Sequence, residues 1–119
     1  MKVKLPKVYS DSYQLTLTAF ARSKSFPKPM RPNLGRRIEE ASLDLTSATR
    51  KMLLCPKSEN ARKAAYLLAA EEAVDELKFL CQLAGDLKAM SAGSYGGISE
   101  QLEAIGKQIG GLRSQKRDA

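Results

Sequence analysis

The stretch Leu34-Gly-Arg-Arg-Ile-Glu-Glu-Ala-Ser-Leu-Asp-Leu-Thr-Ser-Ala-Thr-Arg-Lys-Met-Leu-Leu-Cys55 decides how this chain folds. Its apolar residues Leu34, Ile38, Ala41, Leu45, Ala48, Met52 and Cys55 are spaced alternately by four and three, which places them on one face of a helix packed at a shallow angle. Asn33 offers a cap for the orphan amides at its start, and Pro56 cannot continue the ladder at its end. The reading is a helix over 33–55.

The same spacing recurs downstream. Leu67, Ala70, Val74, Leu77, Cys81 and Ala84 form a seam on a predicted helix over 59–88, whose first turn places Glu59 beside the positive end of the dipole. Ala89 to Ser94 reads as a turn. Tyr95, Ile98, Leu102, Ile105, Ile109 and Leu112 then mark a helix over about 95–115.

Upstream the pattern is ambiguous, because Tyr13, Leu15, Leu17 and Ala19 alternate with polar residues as a half-buried strand would. A lone strand among helices leaves its backbone groups unpaired, so a helix over 10–24 burying Tyr13, Leu17 and Phe20 is preferred. The expected fold class is all-α: one domain over 1–119, an antiparallel up-and-down four-helix bundle roughly 30 Å tall, from ~20 residues at 1.5 Å rise.

The chain's 119 residues and 43% hydrophobic content suffice for one core and leave no room for a second domain. Apolar stretches such as Leu67 to Ala70 are too short to span a bilayer, and the basic start Met1 to Lys7 leads into no secretory segment, so a cytoplasmic protein without membrane contact is expected. The only two cysteines, Cys55 and Cys81, form no CxxC pair, and there is no histidine. That composition opposes a zinc site and suggests buried, reduced thiols.

Catalytic chemistry finds no foothold. Glu71, Glu72, Asp75 and Glu76 cluster on one helix, but bundle di-metal sites pair Glu with a His three residues on, and none is available. Gly106 and Lys107 resemble the end of a phosphate-binding loop, yet Gln101 stands where its first glycine belongs and Gln108 replaces its Ser or Thr. A Ser or Cys nucleophile usually needs a base such as His, which is absent, and no Ser-Lys pair stands out among the many scattered serines and lysines. The expectation is a non-enzyme without metal or cofactor.

Charge carries the positive signal. Twenty Lys and Arg against thirteen Asp and Glu give +7, which attracts polyanions. Between Ser12 and Ile38 lie Arg22, Lys24, Lys28, Arg31, Arg36 and Arg37 with no acid among them, and Pro27, Pro29 and Pro32 stiffen the segment that displays them. A second group, Arg113, Lys116 and Arg117, ends the last helix, where cations also complement the dipole. Nucleic-acid binding through backbone contacts fits both groups, and a merely solubilising charge face is the competing reading. With aromatics at only 6%, base stacking is disfavoured.

Apolar residues off the seams suggest self-association. Leu43 and Leu54 share an outer face of the second helix, and Leu68, Phe79 and Leu83 an outer face of the third, so these five form the expected oligomer interface. A wide apolar arc serving a crowded monomer core is the alternative. Gly106 and Gly110 share a face of the last helix, which suggests close approach of a neighbouring backbone.

Several short runs together carry a family resemblance: Phe26, Pro27, Lys28; Leu34, Gly35, Arg36, Arg37, Ile38; Leu77, Lys78, Phe79, Leu80; and Ile105, Gly106, Lys107, Gln108, Ile109, Gly110, Gly111, Leu112. Across nearly its whole length the chain resembles the accessory variability determinant (Avd) proteins of diversity-generating retroelements, relatives of the small four-helix proteins encoded by intervening sequences in 23S ribosomal RNA genes. The resemblance implies a four-helix bundle assembled as a pentamer, which binds the element's reverse transcriptase and RNA or DNA during mutagenic complementary-DNA synthesis. By position it adds Lys78 and Arg113 as basic contacts to reverse transcriptase or nucleic acid. A Trp that some relatives show near Leu112 is absent, which puts any contact relying on that aromatic in doubt. Two rival readings are a ribosomal-RNA-associated protein of the intervening-sequence type and a purely structural oligomer.

Overall fold

Ser12, Thr16 and Ser23 set the face of the first helix that turns inward. Ser12 donates to the Val8 carbonyl at 2.7 Å, and Ser23 donates to Phe20 at 3.1 Å. Hydroxyls satisfied in this way can be buried without the usual desolvation cost. In the computed structural model, which describes residues 6–118 and the side chains of 6–114, four long helices run in chain order: α1 Lys7–Lys24, α2 Arg36–Leu54, α3 Asn60–Asp86 and α4 Ala92–Asp118. No strand occurs among the described residues.

Each helix packs on its sequence neighbours, and α1 also packs on α4, so the four enclose one core. Ile38, Leu45, Leu77, Ile98, Leu102, Ile105 and Ile109 are among its fully buried side chains. The seams of α2, α3 and α4 supply most of this core, with Tyr95 and Leu112 partly buried at its margin. Cys55 departs from the reading, being only half-buried where α2 ends in extended backbone before Pro56, whereas Cys81 is buried and its thiol is pushed up to about 11.

The inward face of α1 is the main correction. Val8, Ser12, Leu15, Ala19 and Ser23 are buried, while Tyr13 and Leu17 are 49% and 52% exposed and Phe20 is half-buried. The cause is a polar seam with α2. Thr46 Oγ1 donates to the Ser12 carbonyl at 2.9 Å and lies 2.7 Å from Thr16 Oγ1, which is itself 3.1 Å from the Ser42 carbonyl. Small hydroxyl residues let α1 and α2 approach closely, which bulkier Tyr13 and Leu17 would prevent. No buried side-chain nitrogen or oxygen among the described residues lacks a partner.

Asn33 is also corrected. It does not cap α2; it lies within a π turn, Arg31–Gly35, that follows a 3-10 turn over Lys28–Met30 and leads directly into the helix. Its Oδ1 accepts from Leu34 N, the next residue, rather than from an amide of the first helical turn. At the head of α4, Ser91 Oγ accepts from Ser94 N at 3.1 Å, so the last helix starts at Ala92, earlier than its apolar seam indicated. No helix among the described residues is long and apolar enough to cross a membrane.

Candidate nucleic-acid interface

Three elements converge where the linker between α1 and α2 crosses the end of the bundle. Arg22, half-buried at the end of α1, donates from Nη1 to Ser94 Oγ at 3.3 Å and so binds the end of α1 to the start of α4. Ser23 and Glu39 are joined by a short hydrogen bond that draws the start of α2 to the same place. The linker is pinned there by Phe26, 1% exposed, and by Arg31, whose Nε donates to the Phe26 carbonyl at 2.8 Å. Gly35 is packed into the same place, where a Cβ would stand 3.4 Å from Ser23 Cβ and 3.6 Å from the Phe26 ring, at ordinary contact distance.

The cations of this end are thereby displayed on a folded platform. Lys24, Lys28, Arg31, Arg36 and Arg37 are all exposed. Arg36 pairs with Glu40 at 3.3 Å and Arg37 with Glu76 at 3.5 Å, both in solvent, where such pairs hold their partners weakly. Lys88, exposed in the turn after α3 and the one non-glycine residue with positive φ among those described, was missed. Its signal was its place in the turn joining α3 to α4, at the end of the bundle that also carries the linker.

Lys78 and Arg113 are positioned differently. Lys78 pairs with Glu103 at 3.1 Å, and Arg113 forms a two-point ion pair with Glu71, its Nε standing 3.0 Å from Oε1. Both bridge α3 to α4, so their charges are partly committed to holding those helices together. Lys116 and Arg117 fall in the last turns of α4, and their side chains lie outside the described residues. Ser94 and Arg113 are 19 residues apart on α4, about 29 Å at 1.5 Å rise, so the linker cations and Arg113 occupy opposite ends of that helix.

Along α1, Lys7 donates to Asp11 at 2.6 Å and Gln108 Nε2 donates to the same carboxylate at 2.7 Å, fastening α4 to α1. The Lys7 bond, opposed by partial burial and helped by Gln108, holds the Asp11 carboxyl below its usual range.

The five apolar residues read as one oligomer interface divide between places. Leu43 and Leu54 are exposed on α2, and Leu43 follows the paired Ser42 just as exposed Leu17 follows Thr16 on α1. Leu68 is exposed in the first half of α3. Phe79 and Leu83 line a groove between α3 and the start of α2, with Met30, Leu34, Leu80 and Leu87. Gly106 has Val74 Cγ1 as the nearest neighbour of a built Cβ, at 3.9 Å, and Gly110 has none within 4 Å, so no backbone of this chain approaches them closely.

Compared with known proteins, the chain matches no family model and no curated protein.

Proposed function

We propose that this protein is a non-catalytic accessory factor of the retroelement type, a cytoplasmic scaffold that holds nucleic acid against a reverse transcriptase. The observation that carries the reading is the convergence of Lys24, Lys28, Arg31, Arg36 and Arg37 on one bundle end, anchored by Phe26. Fixed cations lose little conformational freedom on gripping phosphates, and released counterions supply the free energy. Arg113, near the opposite end of α4, and Lys78 between the two ends contribute on exchanging their carboxylate partners, so that a ligand touching both basic groups runs along the bundle.

The cross-helix pairs support an antiparallel up-and-down order. On α1 and α2, Ser12 meets Thr46 and Ser23 meets Glu39; on α1 and α4, Asp11 meets Gln108 and Arg22 meets Ser94. On α3 and α4, Glu71 meets Arg113 and Lys78 meets Glu103. In each case residue numbers rise on one helix as they fall on the other.

Self-association belongs to the same reading, as a pentamer on the strength of the resemblance. Exposed Leu17, Leu43 and Leu54 on one side and Leu68 on another give the chain two unlike apolar faces, which suit a head-to-tail ring rather than a twofold dimer. A ring multiplies weak phosphate contacts through effective concentration.

The test is RNA binding at rising salt. Contact with about five phosphates gives a log-log slope near −3.5 on a single strand. A purely structural protein, whose charges are spent on intrachain pairs such as those of Lys78 and Arg113, is the rival, and RNA affinity undetectable even at low salt counts for it instead. Co-purification with a reverse transcriptase encoded beside this gene tests the partner.

A further inference from the structure

The two middle helices each carry a second row of residues on the side away from the core. On α2 it runs Arg36, Glu40, Leu43, Ser47, Arg50 and Leu54; on α3 it runs Leu68, Glu72, Asp75, Phe79, Gln82 and Asp86. Every one of them is exposed, and the steps alternate four and three, the spacing of a helix face that packs along another helix. Leu43, Leu54, Leu68 and Phe79 are 50%, 69%, 53% and 57% exposed, so both rows leave large apolar side chains in water. The α3 row is also acidic in a chain of net charge +7, and no Lys or Arg stands in it. Glu72 and Asp75 lie three apart on one face, where like charges repel. Arg50, Glu72, Asp75 and Asp86 have no ion-pair partner among the described residues.

We infer that the outward row of α2 in one copy packs antiparallel on the outward row of α3 in the next. The inference rests on the self-association reading and assigns the two faces that meet. Laid in opposite directions, the rows match at each position: Leu54 faces Leu68, Arg50 faces Glu72, Ser47 faces Asp75, Leu43 faces Phe79, Glu40 faces Gln82 and Arg36 faces Asp86. Apolar meets apolar, each arginine meets a carboxylate, and Ser47 and Gln82 can donate to the acids opposite them. Arg36 keeps Glu40 as its neighbour at 3.3 Å and gains Asp86. The matched rows run about 27 Å at 1.5 Å per residue.

Other alignments fit less well. Sliding the antiparallel rows by seven residues sets Glu40 against Asp75 and Leu43 against Glu72, or, the other way, Leu54 against Asp75 and Leu43 against Asp86. A parallel register joins Leu43 to Leu68 and Leu54 to Phe79, but it leaves Arg36 opposite Ala61 and turns the next copy upside down, against a head-to-tail ring. Nucleic acid is repelled by the carboxylates of the α3 row, and a foreign basic helix would have to reproduce what α2 already presents.

The experiment uses the full chain at about 100 μM, where weak assembly is populated, and reads mass by sedimentation equilibrium. Arg50→Glu is expected to weaken association about tenfold or more, and Glu72→Arg likewise, because each sets like charges face to face. The two changes in one chain are expected to restore association to within about threefold of wild type. Register is read by oxidative cross-linking in a Cys55→Ser background, with buried Cys81 left in place. Leu54→Cys mixed with Leu68→Cys is expected to give a disulfide-linked pair that neither variant forms alone, and Leu43→Cys mixed with Leu68→Cys none. Far-ultraviolet circular dichroism checks that each variant is folded.

Wild-type protein that stays monomeric sinks the inference and the self-association reading together. An assembled wild type that ignores either charge reversal, or reversals that the double variant fails to repair, overturns the inference alone and leaves the α3 row to a basic partner of another kind. A cross-link between Leu43→Cys and Leu68→Cys in place of the expected one sets the rows parallel and overturns it too. Should either charge variant unfold, the cross-linking pairs decide by the same criteria.

Discussion

Replacing Gly96 and Gly106 by alanine is expected to stabilise the bundle. Both lie within α4, where glycine costs roughly 1 kcal/mol against alanine through lost backbone entropy. Space decides whether that gain is realised. A Cβ at Gly96 meets no atom within 4 Å, and one at Gly106 meets Val74 Cγ1 at 3.9 Å, an ordinary contact. The two positions are about 15 Å apart on the helix, so their effects should add to roughly 1.5–2 kcal/mol. With an unfolding entropy of about 2.1 cal/mol/K per residue, each kcal/mol raises Tm of a chain this size by about 4 °C. The double variant should therefore melt roughly 6–8 °C higher. Thermal melts followed by circular dichroism at one fixed protein concentration measure this, because any assembly makes Tm concentration-dependent. An unchanged or lowered Tm for Gly96→Ala refutes the propensity reasoning. A lowered Tm for Gly106→Ala alone shows that α3 and α4 lie closer at Val74 than described.

Leu45→Ala, at a fully buried position, should cost about 3 kcal/mol and lower the urea midpoint without changing the m-value; a cost under about 1 kcal/mol would mean that the site collapses freely. Cys55 should react with Ellman's reagent in the folded protein at pH 8, and Cys81 only on unfolding, since burial keeps its thiol protonated up to about pH 11; two rapidly reacting thiols would contradict the packing. Because that folded value lies above the ordinary one near 9, the contribution of Cys81 to stability is intact below pH 9 and declines between about 9 and 11. Charge reversal at Arg36 and Arg37 together should lower RNA affinity across sequences and flatten the single-strand salt slope from near −3.5 to about −2; an unaltered slope removes both residues from the interface.

The seams of α2, α3 and α4 were legible because their cores are built from Leu, Ile, Val, Met and Ala, for which apolar periodicity and burial coincide. In α1 they part company. Ser12 and Ser23 turn inward with their hydroxyls donating to the Val8 and Phe20 carbonyls of α1 itself, and Thr16 meets the Ser42 carbonyl and the Thr46 hydroxyl of α2, a neighbour that periodicity does not disclose. Tyr13 and Leu17, apolar and regularly spaced, were drawn into the reading for the same reason. The cation cluster could be read as a composition, but its convergence with the start of α4 rests on Arg22 reaching Ser94 across 72 positions. The groove at Phe79 was half visible: the off-seam residues of α3 announced an outer apolar face, whereas Met30 and Leu34 join it through turns whose helical path the three prolines concealed.

Phe26 gives the basic end a property its charges alone would lack. The ring closes the end of the core at 1% exposure, and freeing the linker would return it to water at a cost of about 2–3 kcal/mol. The segment that presents Lys24 to Arg37 is thus fastened like the head of a rivet, and it loosens only rarely while the rods beneath it stay joined. On the proposed reading, grip on a polyanion and thermal endurance are coupled: a substitution in the interior that lets the bundle open should weaken the hold on phosphates as well, far from any arginine.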